Sequence, residues 1–226
     1  MTPEEQQIKL NENLKALSEA PDFKEYFKIQ REIVSNFVGT WEYVERFLEP
    51  DPVLALKMLV ESFGKKAELD ASQGKVEKEK MEVIEKFSKE MTGLFEKRDF
   101  SAVTQKLFYV LLGNVLEHIG EGEADMTKFS VEKDLYPKLK MPLGLVIFLF
   151  QNLSFGPVVE KVKDLSPEYL KKYCALLLGL WRTAFDLMAY EKFQKEHEKK
   201  EHEHHNHEHE HEHKDENKET ENKEVK

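Results

Sequence analysis

The chain has 226 residues with 34 basic and 44 acidic side chains, a net charge of −10, and 40% hydrophobic residues. That is enough apolar material for one domain-sized core, while an acidic chain with no arginine cluster makes a poor counterion for phosphate, so nucleic-acid binding is excluded. Residues 191–226 hold 13 of the acidic and 8 of the basic groups, which leaves the two parts of the chain near −5 each.

In chain order, the spacing predicts a polar helix over 3–19, with Ile8, Leu10, Leu14 and Leu17 as its apolar stripe and Pro21 after it. Asp22 and Glu25 stand at the spacing of a capping box, opening a long amphipathic helix to about Glu49 through Phe23, Tyr26, Ile33, Phe37, Val44 and Leu48. Asp51 as N-cap and Pro52 at the first helical position start the next helix, in which Val53, Leu56, Leu59, Val60 and Phe63 face one way. A polar break at Ser72-Gln73-Gly74 separates it from a helix over Val76–Lys97 that runs through Val83, Ile84, Phe87, Met91 and Leu94. Ser101 is the expected cap of a helix over 102–119.

Residues 120–140, polar and broken by Gly and Pro, read as an internal linker. After it come an apolar helix over 142–153, a turn at Gly156-Pro157 and a short helix to Leu165. Ser166-Pro167 opens a last long helix with Leu170, Tyr173, Cys174, Leu177, Trp181, Ala184 and Met188 inward. No strand-like alternation and no fixed repeat occur. The expectation is therefore an all-α, bundle-like domain over 1–195 of about seven or eight helices, followed by a disordered His/Glu/Lys-rich tail over 196–226.

"MTPEEQQIKL" lacks the charged and apolar regions of a secretory signal, and the longest apolar run, "MPLGLVIFLF", is too short to span a bilayer. A cytoplasmic protein without a transmembrane segment is expected. Cys174 lies in "YCALLLGLW", so an intrachain disulfide and a cysteine zinc site are both ruled out, and a small core residue is the plainer reading. His118, the body's one histidine, fits a cation at a helix C-terminus better than a catalytic base, and Arg182 with Asp186 fits a helical ion pair. No Glu-x-x-His precedes residue 196, and neither common nucleotide-binding glycine loop is present. The reading leans against an enzyme. The dense aromatics Phe23, Tyr26, Phe27, Phe37, Trp41, Tyr43 and Phe47 read first as core packing; the alternative is that Trp41 and Tyr43, which extend past the stripe, mark a partner or lipid-droplet-like surface.

The tail is where recognisable chemistry lies. Eight of the nine histidines fall at His197, His202, His204, His205, His207, His209, His211 and His213, interleaved with glutamate. Neutral imidazole is the preferred ligand of zinc, nickel and copper, and carboxylates add compensating charge. In an extended chain His205, His207, His209, His211 and His213 share one side; in a helix His205 with His209, His207 with His211 and His209 with His213 become neighbours. Either way several two- to four-histidine sites overlap, with none of the fixed second shell of a structural zinc site. Exchangeable binding of Ni(II) or Zn(II) is expected, with no obligatory cofactor, weakening as pH falls through about 6.5.

The composition of 197–213 resembles the His-rich tails of nickel accessory proteins that serve urease and hydrogenase. The resemblance implies a role class, buffering or delivery of Ni(II) or Zn(II), with the helical body docked on a protein partner or a second copy. The alternative is a non-enzymatic helical scaffold or oligomeric subunit whose charged tail supplies solubility alone.

Overall fold

A computed structural model of the chain describes residues 2–38, 42–45, 48, 51–74, 77–119, 143–156 and 158–189. The chain divides into two compact units, Met1–Phe185 and Asp186–Lys226, and every buried apolar side chain among the described residues except Met188 lies in the first. The described residues are all-α, with eight helices and no strand among them.

Helix α1, Pro3–Ser18, begins with a reciprocal cap that the sequence reading passed over: Glu5 N–H donates to Thr2 Oγ1 at 3.2 Å and Thr2 N–H to Glu5 Oε2 at 2.8 Å. Leu10, Leu14 and Leu17 are buried, whereas Ile8 is 59% exposed. Ile8 lies about 200° round the helix from Leu10 and cannot share its stripe. In α2, Phe23–Ile33, only half of the expected capping box forms. Glu25 N–H donates to Asp22 Oδ1 at 2.9 Å, but the Glu25 carboxylate accepts from Lys28 Nζ at 3.1 Å.

Helix α2 widens into a π-helical turn, Val34–Val38, so the expected long regular helix is not uniform. A single turn, α3 (Glu42–Glu45), carries buried Val44. Trp41 and Phe47, and the side chains of Phe37 and Tyr43, lie outside the described residues, and with them the aromatic partner surface.

Helices α4 (Pro52–Ser72) and α5 (Lys78–Glu96) form an antiparallel hairpin. Asp51 caps α4 as expected, its Oδ1 accepting from Val53 N–H at 3.1 Å and Leu54 N–H at 3.2 Å. The two helices meet where a Cβ on Gly64 would come 2.5 Å from Ser88 Oγ, so a side chain there would have to turn the Ser88 hydroxyl aside, and Phe63 packs edge-on to Phe87 at 6.0 Å. Counting outward from this crossing brings Leu69 level with Val83, and both are exposed. Val83 therefore leaves the buried stripe expected for it, because the hairpin tip runs past the core.

Helix α5 ends in a Schellman motif without glycine. Arg98 takes the left-handed conformation at φ 59°, with Arg98 N–H donating to Phe95 O and Asp99 N–H to Leu94 O, both at 2.9 Å. Helix α6, Phe100–Ile119, then starts one residue on. Its cap is Asp99, whose Oδ1 accepts from Ala102 N–H at 3.1 Å; the expected cap, Ser101, donates instead to Val159 O at 2.6 Å.

The centre of the core is α7, Leu143–Phe155, with the helix over 167–189, here α8. Residues 143–150 are all buried, as are 173–180, so α8 contributes a whole cylinder rather than the single stripe expected. A helix apolar on every side is stable only when enclosed. The segment before α8, Val159–Asp164, is 3-10 rather than α-helical. At Gly179 a Cβ would lie 2.6 Å from Val44 Cγ2, which brings the backbone of α8 close to α3. The linker over 120–140 and the tail lie outside the described residues.

Candidate functional site

All eight histidines proposed as metal ligands, His197, His202, His204, His205, His207, His209, His211 and His213, lie outside the described residues. Among the described residues no group of three or more His, Cys, Asp or Glu side chains is placed to hold a metal ion. His118 stands in the last turn of α6, half-buried, at the helix end where a cation is favourable.

Cys174 is buried on α8, and that burial pushes its thiol up to about 12, with Asp51 a smaller contribution in the same direction. A nucleophilic cysteine needs a lowered value and access to solvent, and Cys174 has neither. It is a core residue, in agreement with its apolar flanks.

The polar chemistry of the body sits in the core. Tyr173 O–H donates to Thr104 Oγ1 at 2.8 Å, with Leu153 O at 3.3 Å, and the Thr104 hydroxyl donates in turn to Phe100 O at 2.7 Å. Ser154 Oγ donates to Phe150 O at 2.9 Å, and Gln30 Nε2 donates to Leu149 O at 3.2 Å. These bonds join α2, α6, α7 and α8 through groups that are fully enclosed. Two more atoms complete the set: Tyr26 Oη and Gln30 Oε1 are buried without a hydrogen-bond partner among the described residues.

Burial raises the Tyr26 phenol well above its ordinary range, reinforced by Tyr173, and burial likewise raises Tyr173 against the opposing bond to Thr104. Both phenols keep their protons at neutral pH. The cluster can orient helices and supply neutral hydrogen bonds, but it contains no base or activated nucleophile.

Sequence reasoning placed Tyr26 and Tyr173 in the core and overlooked Gln30, Thr104 and Ser154. A signal was present for Gln30, which falls seven residues after Phe23 and four after Tyr26, inside the apolar stripe of α2. Thr104 and Ser154 gave none, because small hydroxyls are common on both faces of helices.

The fold thus defines a class, an all-α helical protein whose apolar core encloses a small polar cluster, and no helix among the described residues is long and apolar enough to cross a membrane. Beyond the class, no family model, no curated protein and no solved structure matches the chain.

Proposed function

We propose that the protein binds or buffers a divalent transition metal, Ni(II) or Zn(II), through its histidine-rich C-terminal tail, while the helical body docks on a protein partner. The observation that carries this reading is the placement of eight of nine histidines within residues 197–213, where imidazoles recur at two- and four-residue spacing with glutamates between them. Such overlapping sites take up several ions and release them readily, because no rigid second shell selects one geometry. Affinity for nickel exceeds that for cobalt or iron on the same ligands. The protein acts without enzymatic chemistry, in the cytoplasm, where a tail that loads and unloads ions near a docked client serves delivery or storage.

Isothermal titration of Ni(II) and Zn(II) at neutral pH tests the reading on the full chain and on a chain ending at Gln194. Several ions are expected on the full chain and none on the shortened one. Equal binding by both chains would move the site into the body, and no binding by either would remove the metal reading.

A further inference from the structure

Helix α8 runs through residues 167–189 and is still helical at the last of them. No glycine or proline occurs anywhere after Gly179, so the chain beyond α8 contains neither of the strong helix breakers. Ahead of the close-set histidines, Glu191 with Lys195 and Glu196 with Lys200 stand four residues apart, acid before base, the order that supports a helix. A helix already begun needs only to be propagated, since its costly first turn is in place. The histidines themselves fall into helical register. At about 100° per residue, His202, His205, His209 and His213 lie within about 80° of one another, and His197, His204, His207 and His211 make a second stripe of the same width on the opposite side. An extended chain would instead set His202 and His204 on the side away from His205, His207, His209, His211 and His213.

We propose that metal binding draws residues 190–213 into a helix continuous with α8, each ion being chelated by histidines one turn apart. The inference rests on the metal-binding reading above and adds the conformation in which the ions are held. Histidines four apart on one face of a helix, such as His205 with His209, His207 with His211 and His209 with His213, bring two imidazole nitrogens within reach of a single ion. Without an ion the interleaved glutamates oppose the helix, because Glu198 with Glu201 and Glu208 with Glu212 set like charges on adjacent turns. Histidine is also a modest helix former by itself. A divalent cation on the stripe offsets that charge and ties one turn to the next. Uptake of metal and growth of the helix are therefore linked, and each strengthens the other. At about 1.5 Å per residue the loaded segment adds about 36 Å to α8, so Ni(II) or Zn(II) converts the tail into a rod that carries its ions on two sides.

Cα chemical shifts of the full chain, recorded by NMR in EDTA and then with Zn(II), test the proposal residue by residue, and isothermal titration of the same chains reads the affinity. Zn(II) should move residues 190–213 from coil to helical values. Glu208→Pro keeps all eight histidines of the tail but breaks the helix between them. It should abolish the helical shift around residue 208 and weaken the tightest Zn(II) binding about tenfold. Glu208→Ala removes the same carboxylate without the ring and should retain both the helical shift and the affinity. Zn(II) uptake with coil shifts throughout would overturn the proposal and leave the metal-binding reading standing, as would Glu208→Pro binding as tightly as the native chain. Helical shifts already complete in EDTA would overturn the linkage between metal and helix. No Zn(II) uptake at all would remove the metal-binding reading, and this proposal with it.

Discussion

Helices α7 and α4 are both rich in large apolar residues and use them in different ways. In α7 the whole run 143–150 is enclosed. In α4 Leu56 and Val60 face the body while Leu54, Met58 and Leu69 face out. Hydrophobic content alone does not distinguish an element that holds the fold together from one that offers a surface; distribution around the helix axis does. The same kind of side chain therefore carries stability in one helix and stands in solvent in the other.

The sharpest test of that contrast is a matched pair of truncations. Leu149→Ala removes a side chain with no exposure from the centre of α7. The lost burial and the cavity left behind should cost about 2–5 kcal/mol. Met58→Ala removes a side chain of similar size from the outer face of α4, and should change unfolding free energy by less than about 0.5 kcal/mol. Urea unfolding under dilute, monomeric conditions measures both. Equal costs would mean that the outer face of α4 is covered within the monomer, and the contrast would fail.

Gly179→Ala probes close packing rather than apolar content. The added methyl would meet Val44 Cγ2 at 2.6 Å and Val44 Cα at 3.2 Å, so α8 or α3 must shift. A loss of about 1–3 kcal/mol follows from overpacking, although alanine favours helix more than glycine does. Gly93→Ala, where a Cβ meets nothing within 4 Å, is the control and should be neutral or stabilising. Thermal melting should fall for Gly179→Ala and hold or rise for Gly93→Ala.

The fold was legible in the sequence to the level of its helices because caps and periodicity are local signals. Asp51-Pro52, the Gly156 turn and Ser166-Pro167 each mark a boundary through a backbone effect that needs no neighbours. Where the reading slipped, the deciding force was tertiary. Val83 has the spacing of a buried residue but sits at a hairpin tip. Ser101 has the chemistry of a cap, yet its hydroxyl is taken by Val159 O, 58 residues away in sequence, while Asp99 caps the helix. The full enclosure of 173–180 depends on what packs around α8, and a stripe drawn from one helix cannot show it. The proposed metal ligands rest on composition, which is why they were visible without any fold.

Alkaline titration gives the next test, with the core's thiol and phenols as reporters. Burial raises Cys174 to about 12 and raises Tyr26 and Tyr173 as well. Each group folds in its neutral form, so its contribution is fully present below the unfolded-state value and is lost as pH rises toward the folded one. For Cys174 that window opens near about 8.5, and stability should fall by up to about 1.4 kcal/mol per pH unit above it from this group alone. Cys174→Val should flatten the upper limb of the pH–stability curve. A thiol reagent at pH 8 should fail to label the native chain and should label it promptly in denaturant. Rapid labelling of the native protein would show that the centre of α8 opens easily, and the distinction between enclosed and outward-facing helices would blur.

The smallest expected effect lies at the junction between the two regions, where α5 of the hairpin hands the chain to α6 of the core. Here backbone geometry decides, because Arg98 holds φ at 59° to close the Schellman motif while Asp99 begins the next cap. A side chain in that conformation costs about 1 kcal/mol, and glycine adopts it freely, at the expense of greater freedom in the unfolded chain. The two terms oppose each other and the steric one is larger at a fixed left-handed position, so Arg98→Gly should stabilise by about 0.5 kcal/mol. Arg98→Ala keeps the Cβ and removes the guanidinium, which separates the backbone term from any charge effect. If alanine stabilises as much as glycine, the gain comes from the side chain and not from the turn. If glycine alone stabilises, the handover from hairpin to core is strained by its residue type, and both motifs on either side of Arg98 hold it there through their own hydrogen bonds.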